Sequence, residues 1–192
     1  MQLTTSDKVV KFHFLISIDA TSQFIFCIYL AKLNNIELAK AFKKLIAQYR
    51  AKSSQTVLKQ IILDNAGSLK SESTKELIKS CYLDPIYVTP AEHVKIAEAG
   101  IRVIKSLVRT TVLDSATSKK FVIMFVPYLM DWVIGSINSS LQTGSDNASP
   151  YTRFTGKLVS ANVQFRAAFL DIVTVNDIQD KSNNLDSRAT IG

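Results

Sequence analysis

Two apolar runs, Lys11–Ile18 (KFHFLISI) and Phe24–Leu30 (FIFCIYL), are separated only by Asp19-Ala20-Thr21-Ser22-Gln23. Aromatic and β-branched residues crowd both runs and favour extended backbone. A joint of five polar residues between two such runs predicts an antiparallel hairpin. Apolar side chains at consecutive positions bury both faces of a strand, so the rest of the chain must supply helices to cover them. Asp19 falls in the turn, where an Asx turn is the expected role rather than a ligand role.

The remaining segments supply those helices. Gly and Pro together number only ten in 192 residues, which argues for long regular elements over a turn-rich sandwich. Asn34 or Asn35 can cap a helix over 36–50, in which Leu38, Phe42, Leu45 and Tyr49 form an apolar stripe and Lys40, Lys43 and Lys44 lie off it. Residues 57–63 (VLKQIIL) read as a third strand. A short helix starts at Ser71 or Ser73, a brief strand follows over 86–88, and helices follow over 96–113 and 116–141. Pro127 predicts a kink in the last of these. Trp132 and the other aromatics of 121–132 are expected in the core. Residues 165–175 carry strand-like stretches. The predicted order is ββα-βα-βαα, a mixed sheet with helices on its faces.

Charge is unevenly placed. The chain carries 23 basic and 16 acidic residues, a net +7. Residues 1–60 hold +6 of this, residues 61–120 hold +2, and residues 121–192 hold −1. A surface for a polyanion is therefore expected in the first two thirds. Cys27 and Cys81 are the only cysteines and, with His13 and His93, show no metal-ligand spacing, which argues against structural zinc and against a disulfide framework. The longest apolar run, 121–130, is too short to span a bilayer that needs about 20 residues. The chain reads as soluble and intracellular, in nucleus or cytoplasm, with no membrane partner.

One constellation carries chemistry. Asp64 directly follows the third strand, and Asn65-Ala66-Gly67 allows a sharp turn there. Glu98 lies in the first turn of the helix that begins near residue 96. Carboxylates at a strand end and a helix start can meet across a strand–helix–strand crossover, and hard divalent cations take such oxygen ligands. The bland reading is that Asp64 caps the turn and Glu98 favours its helix N-terminus. Ile101, Ile104, Val108 and Val112 form the apolar face of Glu98's helix. Arg102, Lys105 and Arg109 follow Glu98 at helical spacing as a basic stripe on the opposite face, suited to a phosphate backbone. His93, a lone loop histidine, is a weaker candidate.

Taken in order, several segments resemble the catalytic core of retroelement integrases, specifically those of copia-type long-terminal-repeat retrotransposons. They are FHFLISIDATSQFIFCIYL, IILDNAGS, YVTPAEHVKIAEAGIRVIKS and SPYTRFTGK, and the resemblance runs from about Phe12 to about Asp177. It implies an RNase H-like α/β fold, a mixed sheet flanked by helices, and a metal-dependent DNA strand transferase with three carboxylates. Asp64 matches the second carboxylate and Glu98 the third. The first belongs on a strand preceding the hairpin, and that strand is expected to be missing. Asp19 matches the family's non-catalytic turn aspartate. Ala99 and Ile101 depart from the family's pattern after the glutamate, whereas Arg102 fits it.

These residues set the functional expectations. Asp64 and Glu98 are the candidate catalytic residues and the candidate ligands of Mg²⁺ or Mn²⁺, held weakly if at all by two carboxylates. Lys95, Arg102, Lys105 and Arg109 are the candidate contacts to DNA, at retroelement ends and in target DNA. Strand transfer is expected to be impaired, and a non-enzymatic basic nucleic-acid-binding relic is the alternative. Self-association into a homo-oligomer is left open. Residues 1–10 read as a flexible segment, 11–141 as the core, 142–176 as its C-terminal extension and 177–192 as a polar tail.

Overall fold

The computed structural model describes residues 2–4, 9–53, 57–64, 67–88, 95–114, 119–141, 147–159, 169, 174–176 and 189–191. The predicted hairpin is its centre. Strands β3 (His13–Ile18) and β4 (Ile25–Leu30) pair antiparallel, with His13 opposite Leu30 and Ile18 opposite Ile25. Within the first ten residues, read as a flexible segment, the described positions 2–4, 9 and 10 are extended. Strand β1 (Gln2–Thr4) lies antiparallel to β2 (Val9–Lys11), which leads into β3 with only Phe12 between.

Helix α1 (Asn35–Lys52) begins as the sequence dictates. The Asn34 side chain accepts the Glu37 N–H at 2.8 Å and satisfies one of the free donors of the first turn. Leu38, Phe42, Leu45 and Tyr49 are all buried, and Lys40, Lys43 and Lys44 are exposed. Strand β5 (Gln60–Leu63) is shorter than predicted. It pairs parallel with β6 (Asp84–Tyr87) across a 3₁₀ turn (Gly67–Lys70) and helix α2 (Glu72–Ser80). Helix α3 spans Lys95–Asp114.

The helix predicted over 116–141 is two helices, not one kinked helix. Helix α4 (Lys119–Met124) ends, Phe125 turns, and α5 (Val126–Ser139) begins with Pro127 in its opening positions. Proline costs nothing there, because an N–H in the first turn has no intrahelical acceptor. The break also corrects the expectation that the aromatics of 121–132 are core. Tyr128 is 67 % exposed and Phe121 43 %, while Trp132 is half-buried against Phe169. Helix α6 (Pro150–Thr155) is capped by Ser149 Oγ, which accepts the Thr152 N–H at 3.1 Å. Of the strand-like stretches expected over 165–175, the described part is Phe169, in a turn, and β7 (Thr174–Asn176). Strand β7 pairs antiparallel with β8 (Ala189–Ile191), inside the segment read as a polar tail.

Strand alternation sends side chains to two cores. Phe26, Ile28 and Leu30 of β4, Leu15 of β3 and Leu63 of β5 pack with α1, α2 and Phe154 of α6. Ile25 and Cys27 of β4, with Phe14, Ile16 and Ile18 of β3, pack with α3, α4 and α5. Among the described residues the strands pair two by two, and the β3–β4 hairpin lies between two helical layers, each fully buried Leu, Ile or Phe contributing about 1.5–3 kcal/mol. Asp19 closes the hairpin turn as an Asx turn. Its Oδ2 accepts the Ser22 N–H and Oγ–H, both at 2.7 Å, and its Oδ1 accepts the Tyr49 hydroxyl at 2.9 Å.

Candidate nucleic-acid interface

Helix α3 places most of the candidate residues. Ile104 and Val108 are each 2 % exposed, and Ile101 and Val112 are half-buried, so this face seats the helix on β3 and α5. Gly100 lies where a Cβ would run into Ile18 Cδ1, and the lack of a side chain lets α3 approach β3 closely. With that face fixed, Lys95, Glu98, Arg102, Lys105 and Arg109 are all exposed. The last four follow one another at steps of four, three and four and so share one stripe of the helix.

Asp64 stands immediately beyond β5 and is exposed. The parallel ladder continues to its doorstep, where the Val88 N–H donates to the Leu63 carbonyl at 3.2 Å. The strand end and the first turn of α3 are thus both as expected. Asn65, Ala66 and His93 lie outside the described residues. Among the described residues, no three of Asp, Glu, His and Cys come together in a way that could hold a metal ion. The two short strands before the hairpin, β1 (Gln2-Leu3-Thr4) and β2 (Val9-Val10-Lys11), carry no acid. A three-carboxylate magnesium site is therefore not assembled among the described residues, and no step through a metal follows from them.

Three features at this end of the molecule were not foreseen. Lys95 rims a recess of about 380 Å³ whose walls include Ile18, Ile25, Ile96, Ala99 and Val103. The Gln23 backbone at the same recess has φ 62°, a left-handed conformation at a non-glycine residue. Asn138 of α5 is buried, and its amide bonds both the N–H and the C=O of Ile25, each at 2.8 Å. Of the three, only Asn138 left a signal in the sequence: it falls four residues after Ile134 and eight after Met130, on the apolar face of its helix. No helix among the described residues is long and apolar enough to cross a membrane.

Solved structures share this architecture. A chain of the simian T-cell lymphotropic virus intasome, solved in complex with PP2A regulatory subunit B56 gamma, matches with TM-score 0.64 at 11 % identity. The match covers 79 % of this chain and 50 % of that one. The catalytic core domain of BIV integrase matches with TM-score 0.57 at 15 % identity, over 80 % of this chain and 90 % of that one. The HTLV-2 integrase catalytic core domain, solved with magnesium in a dimeric form, matches with TM-score 0.56 at 14 % identity, over 79 % and 88 %. At such identities the likeness speaks for the fold, and the expected RNase H-like α/β architecture is the one observed. No protein-family profile matches the sequence. No curated protein matches it either.

Proposed function

We propose that this chain is the integrase-core-type domain of a copia-type retrotransposon, one that binds DNA and transfers strands poorly or not at all. The observation that carries the reading is helix α3. In a fold shared with retroviral integrase cores, it buries Ile104 and Val108 and turns Arg102, Lys105 and Arg109 to solvent in a row headed by Glu98. Each of those cations can neutralise one backbone phosphate and release its counterions. Lys95 joins them at the start of the helix. Asp64 and Glu98 are the catalytic carboxylates of the family reaction, holding Mg²⁺ weakly if at all, since two ligand charges bind less tightly than three. The HTLV-2 core is described with magnesium and in dimeric and trimeric forms, which supports divalent-metal chemistry and self-association as properties to look for here. The core spans 11–141 with a C-terminal extension over 142–176, between the flanking segments 1–10 and 177–192. The protein acts inside the cell, in nucleus or cytoplasm.

The test combines binding and joining. Fluorescence anisotropy with a labelled DNA duplex is expected to show binding that weakens steeply with salt and is indifferent to EDTA. A strand-joining assay in Mg²⁺ is expected to show little or no product. Robust metal-dependent joining, abolished by Asp64→Asn, would sink the impaired reading. The second reading, a non-enzymatic nucleic-acid-binding relic, is favoured by the lack of an acid in the strands β1 and β2 before the hairpin. It predicts that Asp64→Asn and Glu98→Gln leave DNA binding unchanged.

A further inference from the structure

Between Asp19 and Asp64 the chain carries seven Lys and Arg side chains and a single acid, Glu37. All seven cations are exposed, and Lys40, Lys43, Lys44 and Arg50 among them stand on α1 away from its buried stripe. The one acid is already paired, with Glu37 Oε1 2.8 Å from Lys40 Nζ. Among the described residues no ion pair holds Lys43 or Lys44. Helix α2 packs beside α1 and is balanced, with Glu72 and Glu76 against Lys75 and Lys79. A helix face that only has to be solvated mixes both signs, whereas the outward face of α1 is almost all of one sign.

The fold aims this face away from the basic row of α3. Helix α1 packs on the side of the hairpin that carries Phe26, Ile28 and Leu30, and α3 on the side that carries Ile25 and Cys27. Lys40, Lys43 and Arg50 lie about half a turn of helix round from the buried stripe of α1, so they point straight out. Arg102, Lys105 and Arg109 lie about a third of a turn round α3 from Ile104 and Val108. A duplex stays stiff over about 150 base pairs, so one duplex lying on either row does not reach the other. The α1 row is shaped for a rod. Ala47 and Ala51 are exposed among the cations and leave the ridge low. Arg50 is fixed at its end by donating to the Cys81 carbonyl at 2.7 Å, with further guanidinium donors to spare. Lys40 to Arg50 covers about 15 Å of helix, and duplex DNA offers a charge about every 1.7 Å of its axis. A membrane fits less well: the large apolar side chains exposed here, Leu33 and Ile36, sit at one end and form no apolar keel along the helix.

We propose that the outward face of α1, with Lys43 and Lys44 at its centre, is a second contact surface for duplex DNA, so that one chain holds two duplexes on opposite sides of the hairpin. The proposal rests on the reading of this chain as a DNA-binding domain and adds a surface that the reading does not use. Each uncompensated lysine neutralises one backbone phosphate and releases its counterions. The contact is to the backbone, so it does not select a base sequence.

The test is a capture assay with the full chain. A biotinylated duplex on beads takes up the protein, and a fluorescent second duplex is then offered. The wild type is expected to retain the second duplex. Lys43→Ala with Lys44→Ala is expected to bind the first duplex but to retain about tenfold less of the second, and Lys43→Arg with Lys44→Arg to retain it. In a chain already carrying Arg102→Ala, Lys105→Ala and Arg109→Ala, the remaining duplex binding runs through α1. Adding the two lysine-to-alanine changes there should flatten its salt slope by about 1.8. Failure of the wild type to retain a second duplex overturns the proposal. Retention by the alanine variant equal to that of the wild type overturns it in favour of bridging by paired copies of the chain. Loss of the first duplex along with the second overturns it in favour of a single surface. If the alanine variant instead loses only binding to phosphatidylcholine vesicles containing about a fifth phosphatidylserine, α1 faces a membrane and the proposal falls. The two surfaces fail separately: if the α3 variant bridges like the wild type and the α1 variant does not, the α3 surface falls and this one stands.

Discussion

Asn138 holds Ile25 by both ends of its amide: Oδ1 accepts the Ile25 N–H and Nδ2 donates to the Ile25 carbonyl, each at 2.8 Å. The two residues lie 113 positions apart, and Asn138 is 5 % exposed. The side chain thus does at one point what a neighbouring strand does along a whole edge, and it ties α5 to β4. Asn138→Ala leaves a buried N–H and C=O without partners, each worth about 1–3 kcal/mol. The variant is expected to lose about 2–4 kcal/mol, read as a lower urea midpoint at unchanged slope. A loss under about 0.5 kcal/mol, the range of ordinary surface substitutions, would show that the pair carries no weight.

Asp19 makes a second prediction, because its bonds are those of a brace, in keeping with the Asx turn expected of it. Its carboxylate accepts from the Ser22 N–H, the Ser22 hydroxyl and the Tyr49 hydroxyl. Asp19→Ala is expected to cost about 1–3 kcal/mol of stability and to leave DNA affinity unchanged below the melting transition. Tyr49→Phe in the same background should add little, since the partner is already gone; a double-mutant cycle measures this. A drop in DNA affinity without a drop in stability would reassign Asp19 to the interface.

The hairpin, the apolar stripe of α1 and the two faces of α3 were legible because each rests on local periodicity and burial. Leu38, Phe42, Leu45 and Tyr49 repeat as a helix must, and all are buried. Ile104 and Val108 against Arg102, Lys105 and Arg109 follow the same rule. What escaped depends on tertiary partners. Pro127 reads equally as a kink or as the start of a new helix, and the turn at Phe125 decided it. Tyr128 and Leu129 are neighbours in one apolar run, yet one is 67 % exposed and the other fully buried. Strand β5 begins at Gln60, three residues later than the apolar run suggests, because ladder pairing starts only where Asp84 stands opposite. Which strand pairs with which is invisible to periodicity, which reports faces and not neighbours.

The basic row of α3 makes a quantitative prediction about salt. Arg102→Ala, Lys105→Ala and Arg109→Ala together remove three exposed cations without touching the buried face. If each contacts one phosphate of duplex DNA, the slope of log affinity against log salt should flatten by about 2.7. The thermal transition should stay within the scatter of ordinary surface substitutions, about 0.5 kcal/mol. An unchanged salt slope would place the interface elsewhere, the exposed lysines of α1 being the next candidates.

Cys27 makes the last prediction, through pH. Burial, reinforced by the nearby Asp131 carboxylate, pushes its thiol up to about 12 from an ordinary 9.0. The group is neutral below its unfolded value in both states, so its contribution to stability is fully present there. Above 9.0 the unfolded chain gives up the proton while the folded chain keeps it, and stability falls with rising pH until the folded thiol ionises near 12. Urea unfolding measured stepwise across this window should therefore show a steeper decline for the native chain than for Cys27→Ala, the lysines and tyrosines titrating in both. The thiolate is the reactive form, so Cys27 should also resist alkylation in the folded state and react once urea exposes it. Parallel pH profiles for the two proteins, or rapid alkylation of folded Cys27, would show that the thiol is not held in its neutral form.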